Sequence, residues 1–371
     1  MRAIGLILAG GNSIGLKDLV KKRAGAAMPI GGTCRAIDFG LSNMSNSGIR
    51  TVAVLTQYNT RSLNEHLNSA KWWNFGRKHG GLYTFTPTLT RDNNWWFRGT
   101  ADAIYQNMLF LRRRTEPYVV IYHGDCICKI DLNKMLEYHE EKGADITIAV
   151  KHLDSENELK RFGVVETDEN NRVIEFSEKP MKAKTDTASM GIYIINRTLL
   201  MQLVEDANQR ERYDLVKDIF IPYKDVKNIY AYEFDGYWRN INTVESYYDT
   251  NMDFLRRDVR RLFTAEPTIK TKIEDLPSAK FNEGSDVKNS LIGSGCIVNG
   301  EVSDSVVFKE VFIGKGAVIK NSIILNGTYI DEGAYIENCI VESRERVAKN
   351  EEFIGKEGEP MVVSGLRGRL E

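Results

Sequence analysis

Five cysteines in 371 residues, scattered as Cys34, Cys126, Cys128, Cys296 and Cys339, are too few and too uneven for a disulfide framework. A reducing, cytoplasmic setting is expected. An excess of one charge is missing too: 50 basic side chains face 51 acidic ones, for a net charge of −1. That balance excludes the usual signature of a nucleic-acid or membrane-surface binder. No apolar run approaches the ~20 residues of a membrane-crossing helix, and the N-terminus carries a strand-like run, not a signal peptide. Metal-ligand spacing is lacking as well. Cys126 and Cys128 have no second Cys or His pair at zinc-finger distance and read as alternation at a strand end. His66, His79, His123, His139 and His152 form no close pair and read as ordinary surface or core residues.

What is present is a soluble globular mix, 42% hydrophobic and 27% charged, in a chain too long for one ordinary core. Two domains are expected: 1–262, a boundary segment 263–282, and 283–371. The first part alternates strand and helix. Near-continuous apolar strands read at 2–8, 48–58, 118–125 and 144–150. Residues 99–114, "GTADAIYQNMLFLRRR", carry an apolar stripe behind a plausible Thr100 cap. This pattern predicts a mostly parallel sheet covered on both faces. "FGVVETD" and "RVIEFSEKP" read as a hairpin laid over the sheet, and 243–257 as a closing amphipathic helix.

After the proline-containing stretch 264–281 the texture changes. Apolar residues recur six apart: Val307, Ile313, Ile319 and Leu325, then Ile330 and Ile336 after a phase shift. "IGSGCI", "IGKGAV" and "IDEGAY" supply glycines at the corners. A six-residue repeat predicts a β-helix, with a short strand on each flat face and a small residue at each corner. The terminal 351–371 reads as its cap.

In an open α/β sheet, ligands gather beyond the carboxyl ends of the strands. Gly10-Gly11, Gln57 and Asp125 all stand at such ends. Bare glycines let backbone N–H groups approach phosphate oxygens. A strand-end aspartate suits Mg²⁺, which takes carboxylate oxygens and bridges to phosphates. Lys179 offers a point charge for a sugar phosphate. The cluster Lys21-Lys22-Arg23 reads on its own as a solvated basic face.

Several long motifs carry a resemblance. "LILAGG" with "LKDL", "KKRA" and "LSN..NSGIR", then "WW..GTADAIYQN", "EF.EKP", "SMGIYI" and "YWR…T.E.YY..NMD", together resemble bacterial glucose-1-phosphate adenylyltransferase (ADP-glucose pyrophosphorylase) over nearly the whole chain. The resemblance implies a nucleotidyltransferase-type, Rossmann-like α/β domain followed by a left-handed β-helix of hexapeptide repeats. It also implies a tetramer acting in glycogen or starch synthesis, where ATP and glucose 1-phosphate give ADP-glucose and pyrophosphate. Carried over by motif, Asp125 matches a metal-binding aspartate. Glu178 and Lys179 match the sugar-phosphate site, with Ser189, Met190 and Gly191 on the glucose strand. Gly10, Gly11, Gly99, Thr100, Ala101 and Asp102 match the nucleotide segments. Gln57 and Trp96 match residues coupling effector binding to catalysis.

The departures cluster where a triphosphate would react. The family loop Gly-Gly-x-Gly-(Thr/Ser)-Arg-Leu becomes Gly10-Gly11-Asn12-Ser13-Ile14-Gly15-Leu16, so Gly15 stands in place of an arginine. Gly25 replaces a lysine and Ala26 a proline, Asn240 replaces the second metal-binding aspartate, and Phe97 stands where some relatives carry a polar aromatic. This pattern resembles the family's non-catalytic regulatory subunit. It implies a catalytic partner subunit, a sugar-phosphate or nucleotide ligand, and Mg²⁺ only when a nucleotide is bound. The alternatives are an active adenylyltransferase with a rearranged phosphate site, or a nucleotidyltransferase of altered sugar-phosphate choice.

Overall fold

Six residues, Ala3–Leu8, form the central strand β1, and their near-uniform apolar character matches burial on both faces. The computed structural model describes residues 1–76, 80–88 and 96–366. His79, Trp95 and the last five residues of the expected cap lie outside them. Around β1 run β2 (Thr51–Leu55), β3 (Gly81–Phe85), β4 (Tyr118–His123), β5 (Ile146–His152), β6 (Gly163–Thr167), β7 (Val173–Glu178), β8 (Thr187–Asn196) and β9 (Ile229–Glu233). Their order is β7-β6-β8-β4-β1-β2-β3, with β5 pairing β8 and β9. Strands β3, β2, β1 and β4 are mutually parallel, as the apolar runs predict. The strand β8 enters antiparallel to β4. The β6–β7 hairpin is not laid over the sheet but continues it, because β6 pairs β8 at Val164 and Ala188.

One face of this sheet packs against helices Thr100–Gln106 and Arg197–Gln209, burying Ile104, Leu200, Leu203 and Val204. The second helix opens on Asn196, whose side chain accepts from the amides of Thr198 and Leu199. Cys126 and Cys128 do alternate to one side of a short strand. Both are buried, with sulfurs 3.9 Å apart. Trp238 Nε1 donates to Cys126 Sγ at 3.2 Å. Burial pushes the Cys126 thiol up, and all five cysteines are free.

The chain divides into two compact units that cross the linear division. Met1–Gly11 joins Phe39–Trp238, while Asn12–Asp38 joins Arg239–Glu371. The reason lies in the side chains of the early segment. Leu16, Leu19, Met28 and Ile30 are fully buried. Tyr247, on helix Val244–Asp253, donates its hydroxyl to Pro29 O at 2.8 Å, and the Gly31 amide donates to Asn251 Oδ1 at 2.9 Å.

The second unit ends in three five-stranded parallel sheets, the arrangement of a left-handed β-helix. Val298, Ile313, Ile330 and Val347 align on one inner ladder, Val302, Ile319 and Ile336 on the next, and Val307, Ile324 and Val341 on the third. All are nearly inaccessible to solvent. Parallel coils stack like on like, so one apolar residue per face per coil closes the core. The first coil begins at Lys280–Phe281, and helix Arg257–Thr264 fills the start of the expected boundary segment.

Candidate functional site

In the first unit the glycine pair follows β1 after Ala9. Gln57, just beyond β2, donates from Nε2 to Gly10 O at 3.1 Å and to Phe97 O at 3.3 Å. Its Oε1 accepts from the Phe97 amide at 2.9 Å. One amide side chain thus ties two loops together. Beside it, Trp96 is 61% exposed and stacks on Tyr58 with ring centroids 6.0 Å apart. A Cβ at Gly11 would meet nothing within 4 Å, so this backbone stands open to a ligand.

Asp125 follows β4 after Gly124, whose amide donates to Leu8 O at 3.0 Å. The carboxylate is therefore held beside the end of β1. Among the described residues no group hydrogen-bonds to it or pairs with it.

Residues 99–102 are engaged elsewhere. A Cβ at Gly99 would fall 2.3 Å from Tyr213 O. The Ala101 and Asp102 amides donate to that same carbonyl, and Thr100 Oγ1 accepts from the Leu215 amide at 2.8 Å. Asp102 is fully buried. It accepts from Arg98, from Gln106 at 2.9 Å and from Asn208 at 3.3 Å. Pairing with Asp102 raises the Arg98 guanidinium, which lies 3.8 Å from the Tyr213 ring centre. These four residues brace segment 213–215, and the Ala101 and Asp102 amides are already spent on a protein carbonyl.

Glu178 closes β7, and Lys179 follows in a left-handed conformation, with Nζ 3.7 Å from Glu178 Oε1. Burial pushes the Glu178 carboxyl above its ordinary range. Lys179 lowers it, Asp214 raises it further, and His123 and Lys217 lower it. On β8, Ser189, Met190 and Gly191 are buried, and Ser189 Oγ lies 3.3 Å from Tyr193 OH. Gly191 has φ +73°, and a Cβ there would sit 2.9 Å from the His123 ring. The structure pairs Glu178 with Lys179, and sets Ser189 and Gly191 against Tyr193 and His123. It adds four residues that sequence reasoning missed: His123, Tyr193, Asp214 and Lys217. Only His123 left a signal, its place one residue before Gly124-Asp125 at a strand end.

The second unit holds Gly15, Gly25, Ala26 and Asn240, while Phe97 lies in the first. Ser13 and Lys17 both have positive φ, and the turn Ile14–Val20 bends at Lys17. A Cβ at Gly15 would lie 2.3 Å from Asn242 O, and one at Gly25 would lie 2.4 Å from Ser13 Oγ. Asn240 ends the short strand Trp238–Asn240 and brings an amide where a carboxylate would bring charge. The basic cluster is not a uniform solvated face. Lys21 pairs with Asp18 at 2.8 Å, but Arg23 is buried against Glu342 and Ser343. The Arg23 fork needed a desolvated carboxylate, and the β-helix supplies it.

Comparison with known proteins bears on all of this. A nucleotidyl transferase family model matches residues 4–257, and a GlmU-like C-terminal hexapeptide model matches 277–360. A glucose-1-phosphate adenylyltransferase from Clostridium perfringens (strain 13 / Type A) is 42% identical over 323 residues, covering 86% of this chain and 82% of the relative. The chain belongs to the glucose-1-phosphate adenylyltransferase family. Enzymes of the same name from Clostridium novyi (strain NT) and Thermosipho africanus (strain TCF52B) are each 40% identical over 320 residues. They cover 85% of this chain, and 84% and 77% of their own lengths. Within this adenylyltransferase family member, Gln57 and Asp125 stand at strand ends beside an open Gly11, and Glu178 heads a separate polar group. The loop positions Gly15 and Gly25 have been closed over by their own neighbours.

Proposed function

We propose that this chain is a regulatory, catalytically impaired subunit of glucose-1-phosphate adenylyltransferase, modulating a catalytic paralogue in a cytoplasmic heterotetramer that makes ADP-glucose for glycogen. One observation carries the reading: neighbouring oxygens, a backbone carbonyl at Gly15 and a serine hydroxyl at Gly25, have closed over the two glycines. Asn242 O and Ser13 Oγ occupy the space a Cβ would need. The loss of two cations is thus built into the local packing.

In the reaction at issue, an oxygen of glucose 1-phosphate attacks the α-phosphorus of ATP and pyrophosphate leaves. Catalysis of that kind is mostly positioning and neutralisation of developing charge. One preorganised stabiliser is worth about 10²–10³ in rate. Losing two cations and one carboxylate acting as a unit is less than additive, so a deficit of about 10⁴ is expected.

Magnesium would enter with a nucleotide and not as a resident ion. Among the described residues no three His, Cys, Asp or Glu side chains converge on a metal position. The unpartnered Asp125 carboxylate fits one edge of a Mg²⁺ carried on phosphates, where the ion would offset their charge. Asp125 would orient that ion, Gly11 would offer backbone to the phosphates, and Glu178 with Lys179 would receive the sugar phosphate. Binding without turnover suits a sensor, because a ligand shifts an equilibrium through its differential affinity for two states.

A second reading, an active adenylyltransferase, is favoured by Asp125 and by Lys22, which has no partner among the described residues. Pyrophosphate release by the purified chain separates the two. The regulatory reading expects release at least about 10³-fold below that of a catalytic subunit. It also expects a changed sugar-phosphate response when the two are co-purified. Turnover by the chain alone at an ordinary family rate overturns it.

A further inference from the structure

His123 ends β4, in register with Leu8 of β1. Its ring lies against the backbone of Gly191, where a single added carbon would come within 2.9 Å of Cγ. The ring meets Tyr193 edge-on, with centroids 6.1 Å apart. Both neighbours are on β8, so the imidazole lies against that adjacent strand. Yet the residue is only half-buried, and among the described residues neither ring nitrogen has a hydrogen-bond partner. A held, partly desolvated imidazole with both nitrogens unspent is costly unless something else uses them.

The surroundings indicate what that is. Tyr193, whose ring meets the imidazole, has its hydroxyl 3.3 Å from Ser189 Oγ. Lys179 and Lys217 supply exposed cations near Glu178. A phosphate, which only accepts hydrogen bonds, is matched by the lysines. A neutral imidazole has one donor and one acceptor nitrogen, and a sugar hydroxyl can satisfy either. We infer that His123 is a specificity-determining residue that hydrogen-bonds one hydroxyl of a hexose phosphate held by Glu178 and Lys179. This inference rests on the proposed sugar-phosphate binding of the first unit. Gly191 is then required twice, for its backbone angle and for the space of the ring.

The test is calorimetric titration of the full chain with glucose 1-phosphate and with its monodeoxy analogues. Variants are His123→Ala, His123→Leu and His123→Gln, each checked by thermal unfolding. Wild type is expected to bind glucose 1-phosphate and to bind one deoxy analogue about tenfold more weakly. His123→Ala and His123→Leu should weaken glucose 1-phosphate about tenfold and bind that analogue as wild type does. His123→Gln should keep most of the affinity, and His123→Phe, which keeps a ring but has no nitrogen, takes the place of the other two if they unfold and should lose it as they would. Equal affinities in wild type and every variant overturn the inference while leaving the binding reading intact. Weakening that is uniform across every analogue also overturns it, since that marks a structural role. No binding by wild type removes the underlying reading itself.

Discussion

Arg23 and Glu342 form a buried ion pair although 319 residues separate them, with side chains 12% and 4% exposed. Ser343 Oγ accepts a second bond from the same guanidinium at 3.1 Å. Within its unit this pair joins the glycine-rich loop segment to the β-helix. Removing one partner leaves a buried charge uncompensated, which costs about 3–5 kcal/mol. Arg23→Ala and Glu342→Ala should each lower stability by that order in denaturant titration. Arg23→Met with Glu342→Leu should cost much less. Equal losses in the single and double variants would mean that the pair's charge is not what matters.

Gly15→Arg and Gly25→Lys would place cations at the two positions that the proposed function reads as lost phosphate contacts. Each new Cβ would meet an atom at 2.3 or 2.4 Å, so the loop must shift. Overpacking of this kind costs about 1–3 kcal/mol. Each single substitution should lower the unfolding midpoint and leave pyrophosphate release at its wild-type level. A large rise in release with unchanged stability would show that the loop opens freely.

Asp102 is the acceptor for Arg98, Gln106 and Asn208. Asp102→Ala strands those donors and should cost about 2–3 kcal/mol. Because the same helix end braces 213–215, next to the Asp214 that acts on Glu178, sugar-phosphate affinity should fall with it. Titration of a refolded Asp102→Asn variant, which keeps the shape and some acceptor capacity, should show a smaller loss.

His139 is buried, with Nδ1 2.8 Å from Thr147 Oγ1. Burial pushes its imidazole down to about 4, against a weaker upward pull from Glu140 and Asp145. The folded state thus resists a proton that the unfolded chain accepts near 6.5. Stability from this residue is complete above about pH 6.5 and is lost as pH falls toward 4, by on the order of 3 kcal/mol. His139→Gln should flatten the stability profile across that window. A profile unchanged by the substitution would assign the acid sensitivity to other groups.

The β-helix was readable because its physics is local and repeated. Ile313, Ile319, Ile330 and Ile336 sit six residues apart within their runs, and each points inward at its own coil. The apolar runs of β1 and β4 were readable for the same reason, since a strand buried on both faces needs little polar alternation. Gln57, Asp125, Glu178 and Lys179 were placed at strand ends by position alone. The roles of Gly99 to Asp102 were not legible, because nothing near them in the chain announces Tyr213 as their partner. The same holds for Arg23, whose carboxylate lies in the last coils of the β-helix.

Composition and periodicity by themselves determined the two fold types, the absence of a disulfide framework and the run of strand ends. Those properties follow from short-range patterns of burial. Only the tertiary structure decided that residues 12–38 belong with the C-terminal unit, that Gly15 and Gly25 have no room for side chains, and that His123 faces Gly191 and Tyr193. Each of these depends on which distant atom fills a given few ångströms, and dense packing settles that only once the chain has closed on itself.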